Sequence, residues 1–193
     1  AWKWEAVAFI VPVAIAPVGL LGMQSADGEI KAAQASEAFG IPFTLSTLSI
    51  CSIEDVAART TKPFWFQVYT LKDDEFMTRL LARAKDAGVE TIVLTLDLQL
   101  QGQRHRDIKN GLSAPPKLTP ATMLNLATKV SWGLEMLGTP RRFFGNVVGH
   151  AKGVTDPASL STWTAEAFDQ ALDWERVAKL RRMWDGKVIV KGI

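Results

Sequence analysis

Cysteine is almost missing from this chain. Cys51 is the only one, so no disulfide can form within the chain and no cysteine-based zinc site is possible. Histidine is nearly as scarce. His105 and His150 stand far apart, without the close spacing of a metal-ligand pair. Tyrosine occurs once, as Tyr69. Charge of one sign is lacking too: 22 Lys and Arg against 20 Asp and Glu leave +2, too near zero for a nucleic-acid surface built on bulk electrostatics. No repeat or low-complexity tract appears. No basic n-region with a cleavage pattern marks a secretory signal. One long apolar run carries no charge, the 18 residues from Ala6 to Met23. Pro12, Pro17, Gly19 and Gly22 would break a spanning helix there, so the run reads as a buried strand and a tight loop.

What is present is ordinary globular composition. Apolar residues make up 48% and charged residues 22% of 193. That suits one domain with a single core and excludes a disordered chain. The chain starts at Ala1 and stops at Lys191-Gly192-Ile193 as an apolar run closes. Those ends read as the ends of a piece of a longer protein.

Strands alternate with helices along the sequence. Val11 to Ala16 is a short apolar run expected to be a buried strand. Asp27 is expected to cap a helix to Phe39, with Gly40 just past its end. Pro42 to Leu45 is the second strand. Ser52 and Asp55 have capping-box spacing for a short helix through Ala58. Phe64 to Val68 is the third strand. Asp73 or Asp74 opens a helix through Ala87, closed by Gly88, with Phe76, Leu80, Leu81 and Ala84 on one face. Thr91 to Leu96 is the fourth strand. Asp173 caps a helix through Trp184, with Trp174, Val177 and Leu180 at helical spacing, and Lys187 to Val190 is the fifth strand. Such a rhythm means right-handed βαβ units and a parallel sheet. Both an open doubly wound sheet and a β/α barrel satisfy it. Residues 98–172 interrupt the rhythm as one long excursion, read as a mobile lid over one face. Within it, Pro120 to Leu137 is expected to be helical, with Thr119 as N-cap.

Each strand ends on groups able to do chemistry. The first leads into Ala16-Pro17-Val18-Gly19, the second into Ser46-Thr47 and the third into Gln67-Val68-Tyr69. The fourth ends at Thr95-Leu96-Asp97 and the fifth at Lys191-Gly192. In parallel α/β proteins the sites assemble at this edge. Gln67 and Tyr69 share a strand face, and Thr95 and Asp97 repeat the spacing. Lys191 offers a positive charge to a developing anion. Arg104 could clamp a carboxylate. Bland readings stand beside these. A strand-end Ser or Thr is commonly a turn residue. Tyr69 could be a core ring with a wet hydroxyl. Arg104, Arg106 and Lys109 could be a solvated basic patch. Trp132, Trp163, Trp174 and Trp184 suit core or lid packing.

Several stretches carry a family resemblance. Val13-Ala14-Ile15-Ala16-Pro17-Val18-Gly19, Thr44-Leu45-Ser46-Thr47, Phe66-Gln67-Val68-Tyr69, Leu94-Thr95-Leu96-Asp97, Arg104-His105-Arg106-Asp107-Ile108-Lys109-Asn110 and Ile189-Val190-Lys191-Gly192 resemble the FMN-dependent α-hydroxy acid dehydrogenase and oxidase family. Ala114-Pro115-Pro116-Lys117-Leu118-Thr119-Pro120, Gly145-Asn146-Val147-Val148-Gly149-His150 and Ser161-Thr162-Trp163-Thr164 look most like its bacterial respiratory L-lactate dehydrogenase branch. The resemblance covers about Pro12 to Ile193. It implies a TIM-type (β/α)8 barrel with FMN at the C-terminal mouth, of which residues 1–193 hold one partial domain of about five βα units.

The same resemblance implies roles. The backbone of Ala16, Pro17 and Val18 would lie along the flavin ring. Ser46, Gln67 and Thr95 would bond its polar edge, and Lys191 would stabilise the reduced ring. Tyr69 would touch the substrate, Asp97 would orient the catalytic histidine and Arg104 would hold the substrate carboxylate. L-Lactate is the expected substrate, with electrons passing through FMN to a quinone or other acceptor. A cytoplasmic homo-oligomer, or one peripheral on the inner face of the cell membrane, is the expected state. The chain also departs from the pattern. The family's base lies in a Ser-Asn-His-Gly-Gly-Arg stretch beyond the Lys-Gly strand, and these 193 residues do not include it. His105 and His150 sit in other contexts. Residues 1–193 alone are therefore expected to turn over little substrate. A rival reading is a non-catalytic partial barrel of the same family that pairs its open edges in an oligomer. A type 2 isopentenyl diphosphate isomerase-like barrel fits the Gln-x-Tyr and Thr-x-Asp pairs less well. A basic-loop nucleic-acid binder rests on Arg104, Arg106 and Lys109 alone.

Overall fold

A computed structural model gives the fold and describes residues 13–97, 105, 109, 119–154, 163, 167–169 and 172–193. Among the described residues, four strands form one parallel sheet in simple sequence order. They are β1 (Thr44–Ser46), β2 (Trp65–Tyr69), β3 (Thr91–Thr95) and β4 (Lys187–Lys191). Helices separate them: α1 (Leu21–Gln24) and α2 (Gly28–Phe39) precede β1, α3 (Ile53–Ala57) follows it, and α4 (Asp74–Asp86) follows β2. Between β3 and β4 come α5 (Pro120–Ala127), α6 (Val130–Gly138) and α7 (Trp174–Met183). A sheet that adds each strand beside the last, always parallel, is the topology of a β/α barrel rather than of a doubly wound sheet, whose order reverses.

Register divides the sheet into two faces. Ser46 pairs with Gln67, Gln67 with Val93 and Val93 with Ile189, while Tyr69 pairs with Thr95 and Thr95 with Lys191. Successive strand residues point to opposite sides, so these residues share one face. The other face carries Leu45, Phe66, Val68, Ile92 and Leu94, each fully buried. They pack on Ile30 and Ala33 of α2, Ile53 and Val56 of α3, Phe76, Leu80 and Ala84 of α4, and Leu180 of α7. The core therefore lies between sheet and helices, and the polar strand ends lie on the opposite face.

Local signals explain the elements. Asp55 N–H donates to the Ser52 hydroxyl and Ser52 N–H donates back to the Asp55 carboxylate, so the expected capping box is present. Asp73 accepts from Phe76 N–H at the start of α4, and Asp173 does the same from Arg176 N–H for α7. Gly40 closes α2 at φ 83°.

The structure corrects other expectations. The first predicted strand is reduced, among the described residues, to one parallel bridge between Ile15 and Phe43. Ile15 N–H reaches the Pro42 carbonyl at 2.9 Å. The next bond of that ladder would need an N–H from Pro17, which has none. Asp27 stands at the start of α2 in the left-handed region and makes no cap bond. Its carboxylate is taken by the Thr139 hydroxyl at 2.7 Å and by Arg141 at 3.1 Å. The single helix expected over 120–137 is two helices. They part where Thr128 and Lys129 N–H turn back to the Asn125 and Leu126 carbonyls. Trp174 does not join the packed side of α7 but is 75% exposed, whereas Trp184, just beyond the helix, is buried.

The excursion is docked in part. Trp132 donates its indole N–H to the Met23 carbonyl at 2.9 Å, and Arg141 pairs with Asp55 at 2.7 Å as well as with Asp27. Thr139, Asn146, Val147, Ala151 and Val154 are buried. Residues 139–154 thus belong to the packed body.

Candidate active site

The C-terminal strand ends meet on the face away from the core. Ser46, Gln67 and Thr95 are nearly inaccessible there, at 2%, 2% and 4%. Buried polar groups need partners, and these three partner one another. The Ser46 hydroxyl donates to Gln67 Oε1 at 2.8 Å, and Gln67 Nε2 donates to Thr95 Oγ1 at 2.8 Å. Leu48 N–H donates to Ser46 Oγ at 3.1 Å, which fixes the hydroxyl's direction. The Gln67 carbonyl accepts from Thr47 N–H and from the Thr47 hydroxyl, at 3.1 and 2.6 Å.

One register position toward the mouth stand Tyr69, Thr95 and Lys191. Tyr69 is half-buried, with Phe168 edge-on to its ring at 5.3 Å. Phe168 is held in place by its antiparallel bridge to Leu71 and by Asp169 N–H bonding the Thr70 carbonyl. Lys191 Nζ lies 3.1 Å from Asp97 Oδ2, an exposed ion pair at the rim. Gly192 follows at φ 89°, and a Cβ there would lie 2.6 Å from Asp97 Cγ. The glycine is what lets the chain pass this close to the carboxylate. Ala16 and Val18 are exposed and Pro17 is half-buried, so this stretch of backbone is open. Arg104 lies outside the described residues.

Two buried polar groups that sequence reasoning missed brace the loop after β1. Glu29 of α2 is fully buried; its carboxylate accepts from Ile50 N–H at 2.9 Å and Cys51 N–H at 3.4 Å. Burial, then the Glu29 charge, pushes the Cys51 thiol far up, so it is an inert core group. Asn146 of the excursion bonds the same loop from the other side. A polar residue between Phe144 and Val147-Val148 was the one sequence signal for Asn146. Glu29 gave none, since an acid in a first helical turn is commonplace. Among the described residues, no group of three or more His, Cys, Asp or Glu could hold a metal ion.

The profile of one protein family, the FMN-dependent dehydrogenases, matches residues 7–193. The chain belongs to the FMN-dependent dehydrogenase family. It is 42% identical over 184 residues to an L-lactate dehydrogenase of Vibrio cholerae serotype O1 (strain M66-2), covering 95% of this chain and 48% of that protein. An L-lactate dehydrogenase of Pseudomonas aeruginosa (strain LESB58) is 42% identical over 185 residues with the same coverage. The chain therefore spans about half the length of the curated relatives it matches. Among solved structures, the monotopic membrane protein (S)-mandelate dehydrogenase superposes with TM-score 0.86 at 30% identity, over 95% of this chain and 48% of that one. A mandelate oxidase crystallised with (S)-4-hydroxymandelic acid superposes at 0.68 and 31% identity, over 95% and 45%. With these relatives the β/α-barrel expectation holds: the described strands are part of a barrel of the FMN-dependent dehydrogenase family.

The residues present fit the family's cofactor. After the internal bonds, one Gln67 amide hydrogen and the Thr95 hydroxyl hydrogen remain without an acceptor among the described residues. Two spare donors on a nearly buried floor, with a cation at the rim, suit the oxygen- and nitrogen-bearing edge of a flavin.

Proposed function

We propose that the protein containing this chain oxidises an L-2-hydroxy acid, L-lactate above all, to the 2-oxo acid. The observation that carries the reading is the Ser46–Gln67–Thr95 hydrogen-bonded floor with Tyr69 and Lys191 flanking Thr95 in register. Bound FMN would supply the two-electron acceptor for the substrate's carbon–hydrogen bond. The chain's own residues hold and orient. Gln67 and Thr95 offer their spare hydrogens to the ring's polar edge, and Ser46 fixes the Gln67 amide. The open backbone of Ala16, Pro17 and Val18 supports the ring. Lys191 places positive charge where the reduced ring gathers negative charge.

Tyr69 presents its hydroxyl to the substrate, its ring steadied by Phe168. Arg104 pairs with the substrate carboxylate. Asp97 holds the base that takes the hydroxyl proton. That base is the family's histidine in its Ser-Asn-His-Gly-Gly-Arg stretch, so residues 1–193 alone turn over little. Half-buried Leu48, whose carbonyl accepts from Leu20 N–H at 3.0 Å, lines the substrate side and favours a small methyl group. Electrons leave to a quinone or another acceptor, and the full-length protein works as a homo-oligomer. Membrane contact is peripheral: no described helix is long and apolar enough to cross a membrane, yet α5 and α6 expose Met123, Leu124, Val130, Leu134 and Leu137.

The test is anaerobic addition of L-lactate to the full-length protein loaded with FMN. The flavin absorbance should bleach, with one pyruvate formed per flavin. A flavin left oxidised by L-lactate and by other small L-2-hydroxy acids would refute the reading.

A further inference from the structure

The excursion between β3 and α7 returns to grip the loop behind the floor. Gly145 N–H donates to the Ser49 and Ile50 carbonyls, both at 3.2 Å. A Cβ at Gly145 would lie 2.7 Å from Ser52 N and 2.8 Å from the Ile50 carbonyl oxygen, so the two backbones meet only because residue 145 is glycine. Asn146, next along, is fully buried. Its Oδ1 accepts from Ile53 N–H at 2.9 Å. Its Nδ2 donates to the Ser49 hydroxyl at 3.0 Å and to the Ser46 carbonyl at 3.3 Å. Both amide hydrogens are thereby directed at this loop and the strand end that opens it. Arg83 of α4 fixes Asn146 in turn, donating to its backbone carbonyl at 3.3 Å while Glu54 holds the guanidinium through two 2.7 Å bonds.

Ser46 is where this clamp and the flavin floor meet. Its carbonyl is held by Asn146 and its hydroxyl starts the chain to Gln67 and Thr95. We infer that Asn146 is a positioning residue for the cofactor: it sets the Ser46 backbone and, through it, the direction of the Gln67 amide. The inference rests on the flavin reading of Ser46, Gln67 and Thr95. It makes residues 145–146 a strut from the excursion into the site, and it separates them from the exposed helices α5 and α6.

The test is a double-mutant cycle in the full-length holoenzyme, read as the FMN dissociation constant and the position of the flavin absorption bands. Asn146→Asp keeps the size and the Oδ1 acceptor but turns the donor that faces Ser46 and Ser49 into an acceptor. Asn146→Asp and Ser46→Ala should each weaken FMN binding roughly 10-fold, about the effect of one buried hydrogen bond. Combined, they should weaken it by little more than either alone, because Asn146 acts through Ser46. The band shift of Asn146→Asp should match that of Ser46→Ala. Multiplying effects, or an Asn146→Asp affinity within about twofold of wild type, would overturn the inference while leaving the floor intact. A Ser46→Ala protein that binds FMN normally would overturn the flavin reading and the inference together. If Asn146→Asp does not fold, Ser49→Ala removes one Nδ2 acceptor and goes through the same cycle. Effects of Ser49→Ala and Ser46→Ala that multiply would then count against the strut.

Discussion

Replacing Gln67 by leucine probes the floor most directly. Leucine nearly keeps the volume but removes both ends of the hydrogen-bonded chain. The Ser46 hydroxyl hydrogen loses its acceptor, although its oxygen keeps Leu48 N–H at 3.1 Å. Thr95, 4% exposed, loses the donor that satisfies its oxygen. A buried polar group left unpaired costs about 1–3 kcal/mol, and Thr95 bears most of that cost while Ser46 bears part. Two added methyl groups in place of an amide return about 1 kcal/mol by burial. The backbone bonds from Thr47 to the Gln67 carbonyl do not depend on the side chain. The apoprotein should therefore lose about 1–3 kcal/mol. In urea titrations of the full-length apoprotein, that is a midpoint lower by roughly 0.3–1 M at unchanged slope. The holoprotein should lose more, because weaker FMN binding removes ligand-linked stability as well. An apoprotein midpoint within about 0.2 M of wild type would refute the reasoning. The floor would then not be the closed, buried chain described.

Two further predictions test the rim and the outer brace. Lys191→Met should weaken FMN binding and slow flavin reduction by L-lactate; stopped-flow reduction at the wild-type rate would remove Lys191 from its role. Arg83 grips the Glu54 carboxylate through two hydrogen bonds, and these hold it well below its ordinary 4.5, at about 2, against the opposing effect of burial. The folded-state value is depressed, so the stabilisation is fully present above about pH 4.5 and is lost as pH falls toward 2. The Glu54 side chain is half exposed, so solvent screening limits the pair to about 1 kcal/mol. The stability gap between wild type and Glu54→Gln should close across that pH window, and a gap constant from pH 6 to pH 2.5 would contradict the assignment.

The parts of this molecule that were legible in the sequence are those governed by neighbours in the chain. Strands β1 to β4 follow from short β-branched and aromatic runs, and the α3 capping box from Ser52 and Asp55. The floor was legible because strand alternation and the shared end of parallel strands put Ser46, Gln67 and Thr95 together without any side-chain knowledge. What stayed hidden depends on distant partners. Asp27 looked like a cap because capping is local, yet Thr139 and Arg141 claim its carboxylate. Burial alone would push the Asp27 pKa up, but the bonds from Thr139 and Arg141 outweigh it and hold the carboxyl below the usual carboxylate range. Glu29 and Asn146 satisfy backbone N–H groups of a loop far away in sequence, and no period in the chain reports such a bond. Trp174 sits at helical spacing with Leu180, but periodicity cannot say how far a packed face extends, and this ring is left in solvent.

On the proposed reading, the two faces of the sheet divide the work between folding and chemistry. Leu45, Phe66, Val68, Ile92 and Leu94 satisfy the hydrophobic requirement on the helix side. The opposite face is therefore free to carry amide and hydroxyl groups, provided they are paired when FMN is away. The Ser46-to-Thr95 chain does this while keeping two donors in reserve, so little rearrangement is needed on binding. Its direction depends on Ser46, the last residue of a strand only three residues long. So short a strand cannot hold its own end in register, and the loop beyond it is braced from two sides. Glu29 holds Ile50 and Cys51 from α2, and Asn146 holds Ser46, Ser49 and Ile53 from the excursion. The two braces act on different bonds. Loss of Glu29 frees the loop's middle, whereas loss of Asn146 frees the residue that aims the floor. Changes at 145–146 should therefore reach the flavin, and equal changes on the exposed faces of α5 and α6 should not.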